Sequence, residues 1–273
     1  MGAALLQDRG LLRVSGAGAR DFLQGLVTCN LDHVTRAHGA YGALLSPQGK
    51  VLFDFFIAQR GDDDLWIDAP ASMAADLAKR LGFYRLRAKI DIETLGEAHD
   101  APCVAAFWEG ARVPDAALAH YADPRDAKLG TRAVMPAFGV GLSNDAGAYD
   151  ALRIKLGVPK GGVDFAYGEA FPHECNLDRL HGVDFKKGCY VGQEVVSRVE
   201  HRGTARKRVA RVEFGGPAPA VGAAVMAGDV ALGVMGSSVP GHGLAMLRLD
   251  KVEEAVKAGV VISAGATALR VVP

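Results

Sequence analysis

Residues 186–194 read Lys186-Lys187-Gly188-Cys189-Tyr190-Val191-Gly192-Gln193-Glu194. A thiol stands between two glycines, with two lysines before it and an amide and a carboxylate after it. The thiolate is the reactive form of cysteine, and nearby positive charge lowers its pKa. Glycine lets the backbone approach a ligand closely. Two readings stay open from these residues alone. Cys189 is a reactive thiolate or a thiol that touches a cluster or ligand, or it is a small apolar residue in a tight turn. Nucleophilic hydrolysis needs an adjacent base. His181 and His201 are the candidates for one, and neither has a sequence position that recommends it.

A second loop, Phe171-Pro172-His173-Glu174-Cys175-Asn176-Leu177-Asp178, gathers an imidazole, a thiol, an amide and two acids. His173 and Cys175 are too few to define a metal site, so no metal is expected. Glu174 is a hydrogen-bond acceptor for a ligand, or the loop bonds to its own backbone. A third element, Ser46-Pro47-Gln48-Gly49-Lys50 followed by Val51-Leu52-Phe53-Asp54-Phe55-Phe56-Ile57, puts one acid inside an apolar strand. Burying Asp54 is costly without a partner, so it is either structurally bonded or part of a site that moves protons. A fourth feature is the basic run Arg198, Arg202, Arg206, Lys207, Arg208 and Arg211. It suits phosphate or a carboxylate tail, but it also suits a solvated edge strand guarded by charge.

Composition narrows the classes. The 273 residues carry 31 Lys+Arg and 31 Asp+Glu, a formal net charge of zero. That excludes a globally basic nucleic-acid binder, and the basic run lacks interleaved aromatics, which argues against direct RNA binding. Cys29, Cys103, Cys175 and Cys189 form no Cys-x-x-Cys pair and no disulfide scaffold, which fits a reducing compartment. Met1–Gly10 lacks the apolar run of a secretory signal, and no stretch is long and apolar enough to predict a membrane span. The cytoplasm is the expected location.

These residues need elements to position them. Residues 3–14 read as two strands around a turn at Asp8-Arg9-Gly10, and Ser15 as the cap of a helix from Ala19 to Leu26. Residues 40–45 and 50–59 read as a hairpin, and Leu65-Trp66-Ile67 as a strand. Residues 72–81 read as a helix with Met73, Leu77 and Leu81 on one side. Lys89–Leu95 and Cys103–Trp108 read as strands, and Ala116–His120 as a short helix. Tyr149–Leu156 reads as a helix stopped by Gly157 and Pro159. Residues 157–203 read mostly as loop, and a long irregular stretch of this kind is usually functional. Beyond Arg206, short apolar stretches (Val209–Phe214, Ala223–Met226, Val230–Met235, Leu244–Leu249, Ala268–Val272) predict a small β-barrel. The boundaries divide an αβ region, 1–204, with an internal boundary near 90–105, from a barrel, 205–273.

Lys187-Gly188-Cys189-Tyr190-Val191-Gly192-Gln193-Glu194 resembles the signature octapeptide of the YgfZ family, folate-binding T-protein-like proteins that assist iron–sulfur enzymes and include a mitochondrial assembly branch. Phe22–Asn30, Ser46–Asp54, Leu152–Pro159, Pro172–Asp178 and Arg198-x4-Gly203 resemble further family segments, in order. The resemblance implies an α+β fold like that of the glycine-cleavage T-protein, with αβ subdomains around a central cavity and a C-terminal β-barrel. It also implies a reduced folate, tetrahydrofolate or a derivative. Partners would be iron–sulfur enzymes or cluster-assembly proteins, with effects on tRNA modification in bacterial relatives. A matrix location is the alternative if the source is eukaryotic. Cys189 and Asp54 are the implied reactive groups. Arg153, Glu174, Asn176, Lys187, Gly188, Tyr190, Gly192, Gln193, Glu194 and Arg198 are the implied folate-site residues.

Two departures bear on aminomethyl transfer to tetrahydrofolate, the T-protein's own reaction. T-proteins carry adjacent acids where this chain has Phe53-Asp54, and a pterin-gripping glutamate where it has Lys155. A cation cannot accept the hydrogen bonds that pterin N–H groups offer. The leading expectation is therefore an accessory factor without classical turnover, and a tetrahydrofolate-dependent aminomethyltransferase is the alternative.

Overall fold

The structure is a computed structural model that describes residues 1–96, 101–137, 141–143, 145–202 and 205–272. Residues 97–100, inside the span expected to hold a subdomain boundary, lie outside the described residues. So do Gly203, Thr204 and the side chain of Arg202. The chain forms two compact units, Met1–Tyr149 with Leu180–Gln193, and Asp150–Arg179 with Glu194–Pro273.

In the first unit the chain runs β1 (Gly2–Leu5), β2 (Arg9–Ser15), α1 (Ala19–Gln24), β3 (Ala40–Leu45), β4 (Val51–Gly61), β5 (Asp64–Pro70) and α2 (Ala74–Arg85). It continues with β6 (Asp91–Leu95), β7 (Cys103–Trp108), β8 (Ala119–Ala122) and β9 (Thr131–Met135). One sheet has the order β3-β4-β5-β2-β6 and the other β1-β7-β9-β8. The predicted hairpin is present: β3 and β4 pair antiparallel, and Gly49 N–H closes the turn on Ser46 O at 2.8 Å. The pleat sends Phe53, Phe55 and Ile57 to one face. There they pack with Leu23 of α1 and Leu77 and Leu81 of α2 in one core. Each such buried side chain contributes about 1.5–3 kcal/mol. Asp54 and Phe56 take the other face.

Three local expectations are corrected. The two strands around a turn are present, but the turn is at Gln7-Asp8, and the strands pair elsewhere, β1 with β7 and β2 with β5 and β6. Arg9 and Gly10 are already in β2, opposite Pro70 and Ala69. Ser15 does not cap α1: it pairs with Asp64, and the N-cap is Gly18 in a left-handed conformation. Residues 116–120 are not a helix. Ala119 and His120 start β8, because β9 offers them a strand edge through Val134 and Ala133.

In the second unit α3 (Gly147–Leu156), whose first three residues still belong to the first unit, ends where Gly157 turns left-handed. The stretch read as loop contains α4 (Gln193–Arg202). Val195, Val196 and Val199 do fall on one helical face, but the run of glycines and prolines before them gives the whole stretch the signature of a loop. The remainder is β10 (Lys207–Glu213), β11 (Ala224–Ala227), β12 (Val230–Val239), β13 (His242–Arg248), α5 (Leu249–Lys257), β14 (Ile262–Ala264) and β15 (Thr267–Val272). The strands close a six-stranded barrel, β10-β13-β12-β11-β14-β15. The α+β fold with a C-terminal barrel is thus as expected, although α5 and β14 are additions. β10 is no solvated edge. It pairs with both β13 and β15, as closure of the barrel demands.

Candidate functional site

In the first unit, residues 180–193 form a loop latched onto the turn after α1. Thr28 is the centre of the latch. Its N–H donates to Ala43 O (3.0 Å), its hydroxyl donates to Gly182 O (2.5 Å) and accepts from Ala43 N–H (2.8 Å), and its carbonyl accepts from Asp184 N–H (2.9 Å). Gln24 and Asn30 hold the turn itself: Gln24 Nε2 donates to Asn30 Oδ1 at 2.8 Å, and Leu31 N–H to Gln24 Oε1 at 2.8 Å. The turn lies hard against β3. A Cβ at Gly42 would stand 2.5 Å from Cys29 Sγ.

Asp184 caps the start of the motif, its Oδ1 accepting from Lys186 N–H (2.7 Å) and Lys187 N–H (3.0 Å). Burial raises its pKa, but those bonds and one from Asn30 outweigh it, and the carboxyl titrates below its ordinary range. Lys187 then turns inward. Its Nζ donates to Val27 O at 2.7 Å and Cys29 O at 2.5 Å. Burial lowers the Lys187 pKa, opposed by nearby acidic groups. Burial also pushes the Cys29 thiol up to about 12, so Cys29 is an inert core thiol. Tyr190 is buried too, and burial pushes its hydroxyl up to about 12.

Cys189 is exposed between exposed Gly188 and buried Tyr190. Its backbone is fixed on both sides. Lys187 anchors one side. On the other, Tyr190 N–H donates to Gln193 Oε1 and Gln193 N–H to Tyr190 O, both at 3.3 Å, a reciprocal pair that starts α4. Gly192 has φ 81°, and a Cβ there would stand 2.5 Å from Ser46 O and 3.1 Å from Gly49 Cα. The hairpin turn and the thiol loop therefore touch backbone to backbone. Among the described residues no histidine bonds to Cys189. The arrangement presents a thiol on a rigid support, which suits binding a soft metal centre or exchanging with another sulfur.

Asp54 lies on the opposite face of the same sheet, where Tyr41 OH donates to its Oδ2 at 2.9 Å. Its neighbour Phe56 carries a layer of arginines: the guanidinium carbons of Arg132, Arg125 and Arg9 lie 3.9, 4.6 and 5.6 Å from the ring centroid. Asp68 takes Arg9 (2.6 Å) and Arg132 (2.5 Å), while Asp123 takes Arg125 (2.8 Å) and the Tyr149 hydroxyl (3.1 Å). Burial acts against the Asp123 charge, but Arg125 and Arg132 outweigh it and hold its pKa low. Sequence reading missed this layer. Its signal was the one that marked Asp54, a charge inside an apolar strand: Asp68 in Leu65–Ala69 and Arg132 in Thr131–Met135.

In the second unit, Arg153 is a clamp. It donates to Asp150 (2.6 Å), Asp164 (2.8 Å), Val158 O (3.2 Å) and Ser237 Oγ (2.7 Å). Asp164 also accepts from Ser237 N–H at 2.6 Å, at the bulge of β12. Glu174 accepts from Phe171 N–H (2.9 Å) within its own turn. Asn176, left-handed at φ 61°, donates to Val209 O and accepts from Arg208. Arg208 also forks onto Asp178 at 2.8 and 2.9 Å, so it is buried and paired rather than solvated. His173, Asp178 and Glu200 bring one ligand atom each within 4.8 Å of one another. However, Asp178 is already neutralised by Arg208, and His173 lies 3.0 Å from Glu200.

Of the residues implied for folate in this unit, Arg153, Glu174 and Asn176 are thus bonded within the fold; Lys155, which stands where T-proteins have the pterin-gripping glutamate, is exposed. Glu194 and Arg198 stand one turn apart on α4, both exposed, with no hydrogen bond among the described residues. They offer a carboxylate acceptor and a guanidinium donor on one face of the helix.

Comparison with known proteins places these features in a family. Residues 206–273 match the family described as CAF17, C-terminal beta-barrel domain. The iron–sulfur cluster assembly factor IBA57, mitochondrial, of Mus musculus is 33% identical over 279 residues, covering 91% of this chain and 78% of the mouse protein. The mitochondrial IBA57 homolog of Neosartorya fischeri is 32% identical over 261 residues, covering 80% of this chain and 58% of the fungal protein. The chain spans less than three fifths of the length of this and the Aspergillus relatives it matches. The crystal structure of glycine cleavage system aminomethyltransferase T from Bartonella henselae shares the fold, with a TM-score of 0.75 over 99% of this chain and 84% of that one, at 13% identity. With that fold, that barrel and a third of its residues shared with mouse IBA57 across nine tenths of its length, the chain belongs to the YgfZ/IBA57 family of T-protein-like proteins.

Proposed function

We propose that this protein is an accessory factor for the assembly or repair of iron–sulfur proteins, mainly those with 4Fe–4S clusters, and that Cys189 is its working thiol. The observation that carries the reading is the exposed Cys189 on a loop fixed by Lys187 on one side and Gly192 on the other. The names of the curated relatives, iron–sulfur cluster assembly factors, support it. Partners are cluster-assembly proteins or their client enzymes, and an effect on tRNA modification follows where a client is a tRNA-modifying iron–sulfur enzyme. The relatives are named as mitochondrial, which supports the mitochondrion as the compartment if the source is eukaryotic. Among the described residues no helix is long and apolar enough to cross a membrane.

Folate is the second part of the proposal. Glu194 as acceptor for the N–H edge of the ring, or Arg198 as partner of the carboxylate tail, would hold one end of it. When bound, it would supply one-carbon or redox chemistry of its own.

The test is complementation in cells lacking the endogenous family member. Cys189→Ala should leave 4Fe–4S enzyme activity unrestored, while Cys103→Ala restores it. Full rescue by Cys189→Ala would end the thiol role. In parallel, the purified protein is titrated with tetrahydrofolate and its formyl derivative, beside Glu194→Gln, Arg198→Ala and Lys155→Glu. Absence of binding to wild type removes folate and leaves the iron–sulfur role standing. The alternative, aminomethyl transfer, draws support from the shared fold and from Asp54. It requires folate-dependent turnover that Asp54→Asn abolishes.

A further inference from the structure

The C-terminal end of α2 carries an unusual surface. Phe83 and Leu86, three residues apart, are 64% and 89% exposed, although Leu77 and Leu81 of the same helix are buried in the core. Leu86 sits at φ 44°, ψ −104°, a conformation that L-residues avoid. The turn is held there by Ala88 N–H to Arg85 O at 2.7 Å and by Arg85 Nη1 to Ile90 O at 3.3 Å. Strained backbone of this kind persists where the surroundings enforce it, and it concentrates at functional positions.

Charge accompanies the strain. Lys79, Arg80, Arg85, Arg87 and Lys89 fall between Asp76 and Asp91 with no acid among them, in a chain of zero net charge. All but Arg80 are exposed.

We infer that this end of α2 is a docking surface for an acidic protein partner, with Leu86 and Phe83 as apolar anchors and the arginines and lysines as the rim. Apolar anchors ringed by charge are the anatomy of a protein interface, and the rim's sign selects an acidic partner. An RNA would stack on Phe83 but gain nothing from an aliphatic side chain held outward. An anionic bilayer is fluid and imposes no shape, so it gives no reason to hold Leu86 in a fixed, strained geometry. The inference does not depend on the role of Cys189.

The test places a photo-crosslinking phenylalanine analogue at position 83 of the full chain in cells, with the exposed position Lys257 as control. The crosslinked protein is identified, purified and its contacting peptide mapped. The expected result is one protein joined through an acid-rich segment. Binding of that purified protein should weaken about thirty-fold in Leu86→Gly and fall with salt and with Arg85→Glu/Arg87→Glu. Reversing the partner's acids should restore it. Leu86→Gly should melt no lower than wild type, because glycine accepts the positive φ without strain. A crosslink no stronger than at Lys257, one to RNA or lipid, or binding indifferent to the charge reversal would overturn the inference.

Discussion

The ammonium of Lys187 stands 2.5 Å from the carbonyl oxygen of Cys29 and bonds it as a donor. With Val27 O as second acceptor, one side chain pins the thiol loop to the turn after α1. Lys187→Met keeps most of the stem but leaves two buried carbonyls without their donor. The expected loss is about 1–3 kcal/mol, read from urea unfolding. Amide exchange near Val27 and Cys29 should speed up. An unchanged midpoint would mean that the loop is held elsewhere.

Gly192 separates the geometry of the site from its chemistry. Gly192→Ala keeps Cys189, yet the new methyl meets Ser46 O and the backbone must hold φ 81°. The expected cost is about 1–3 kcal/mol, with loss of complementation comparable to Cys189→Ala. A variant that melts like wild type and complements fully would show that the contact between hairpin and loop is dispensable.

The four thiols should separate by reactivity. Cys189 is exposed, Cys103 is intermediate, and Cys29 and Cys175 are buried. An aromatic disulfide reagent at neutral pH should label one thiol fast, and Cys189→Ala should remove that fast phase. Cys29 should label only in denaturant. Fast labelling that survives Cys189→Ala would contradict the placement of the loop.

Acid should loosen the loop from the Asp184 side. Its folded pKa lies below the ordinary carboxylate value, despite the opposing effect of burial, because backbone N–H groups of Lys186 and Lys187 favour the charged form. The contribution is therefore present above the unfolded pKa, near 3.9, and is lost as pH falls through the lower folded value. Asp184→Asn should lower stability at neutral pH and flatten the acid limb of the stability profile. Parallel profiles for variant and wild type would rule the linkage out.

Much of the site's frame was legible because local chemistry fixed it. The Ser46–Gly49 turn, the apolar β4 and the Gly157 stop follow from residues adjacent in sequence. What escaped depends on pairing at a distance. Lys187 reads as a charge beside the thiol, but its acceptors are Val27 and Cys29, 160 and 158 residues away. Arg208 reads as solvated, but barrel closure and Asp178 bury it. Asp68 and Arg132 gave the same signal as Asp54, but they sit in different sheets, and only the tertiary fold shows that they answer one another. α4 escaped because its start is a reciprocal bond between Tyr190 and Gln193 rather than a Ser or Asp cap.

The order of the segments along the chain has a consequence for synthesis. Residues 180–193 belong to the first unit, but 150–179, of the second, are translated before them. Thr28 meets Gly182 across 154 residues. The first unit therefore cannot finish folding as its own sequence leaves the ribosome. It stays open at the Thr28 turn, with the Cys29 side of its core uncovered, until translation has passed Gln193. A pause before that point exposes this edge to chaperones and to aggregation, and a chain cut short at Tyr149 lacks the segment that closes it.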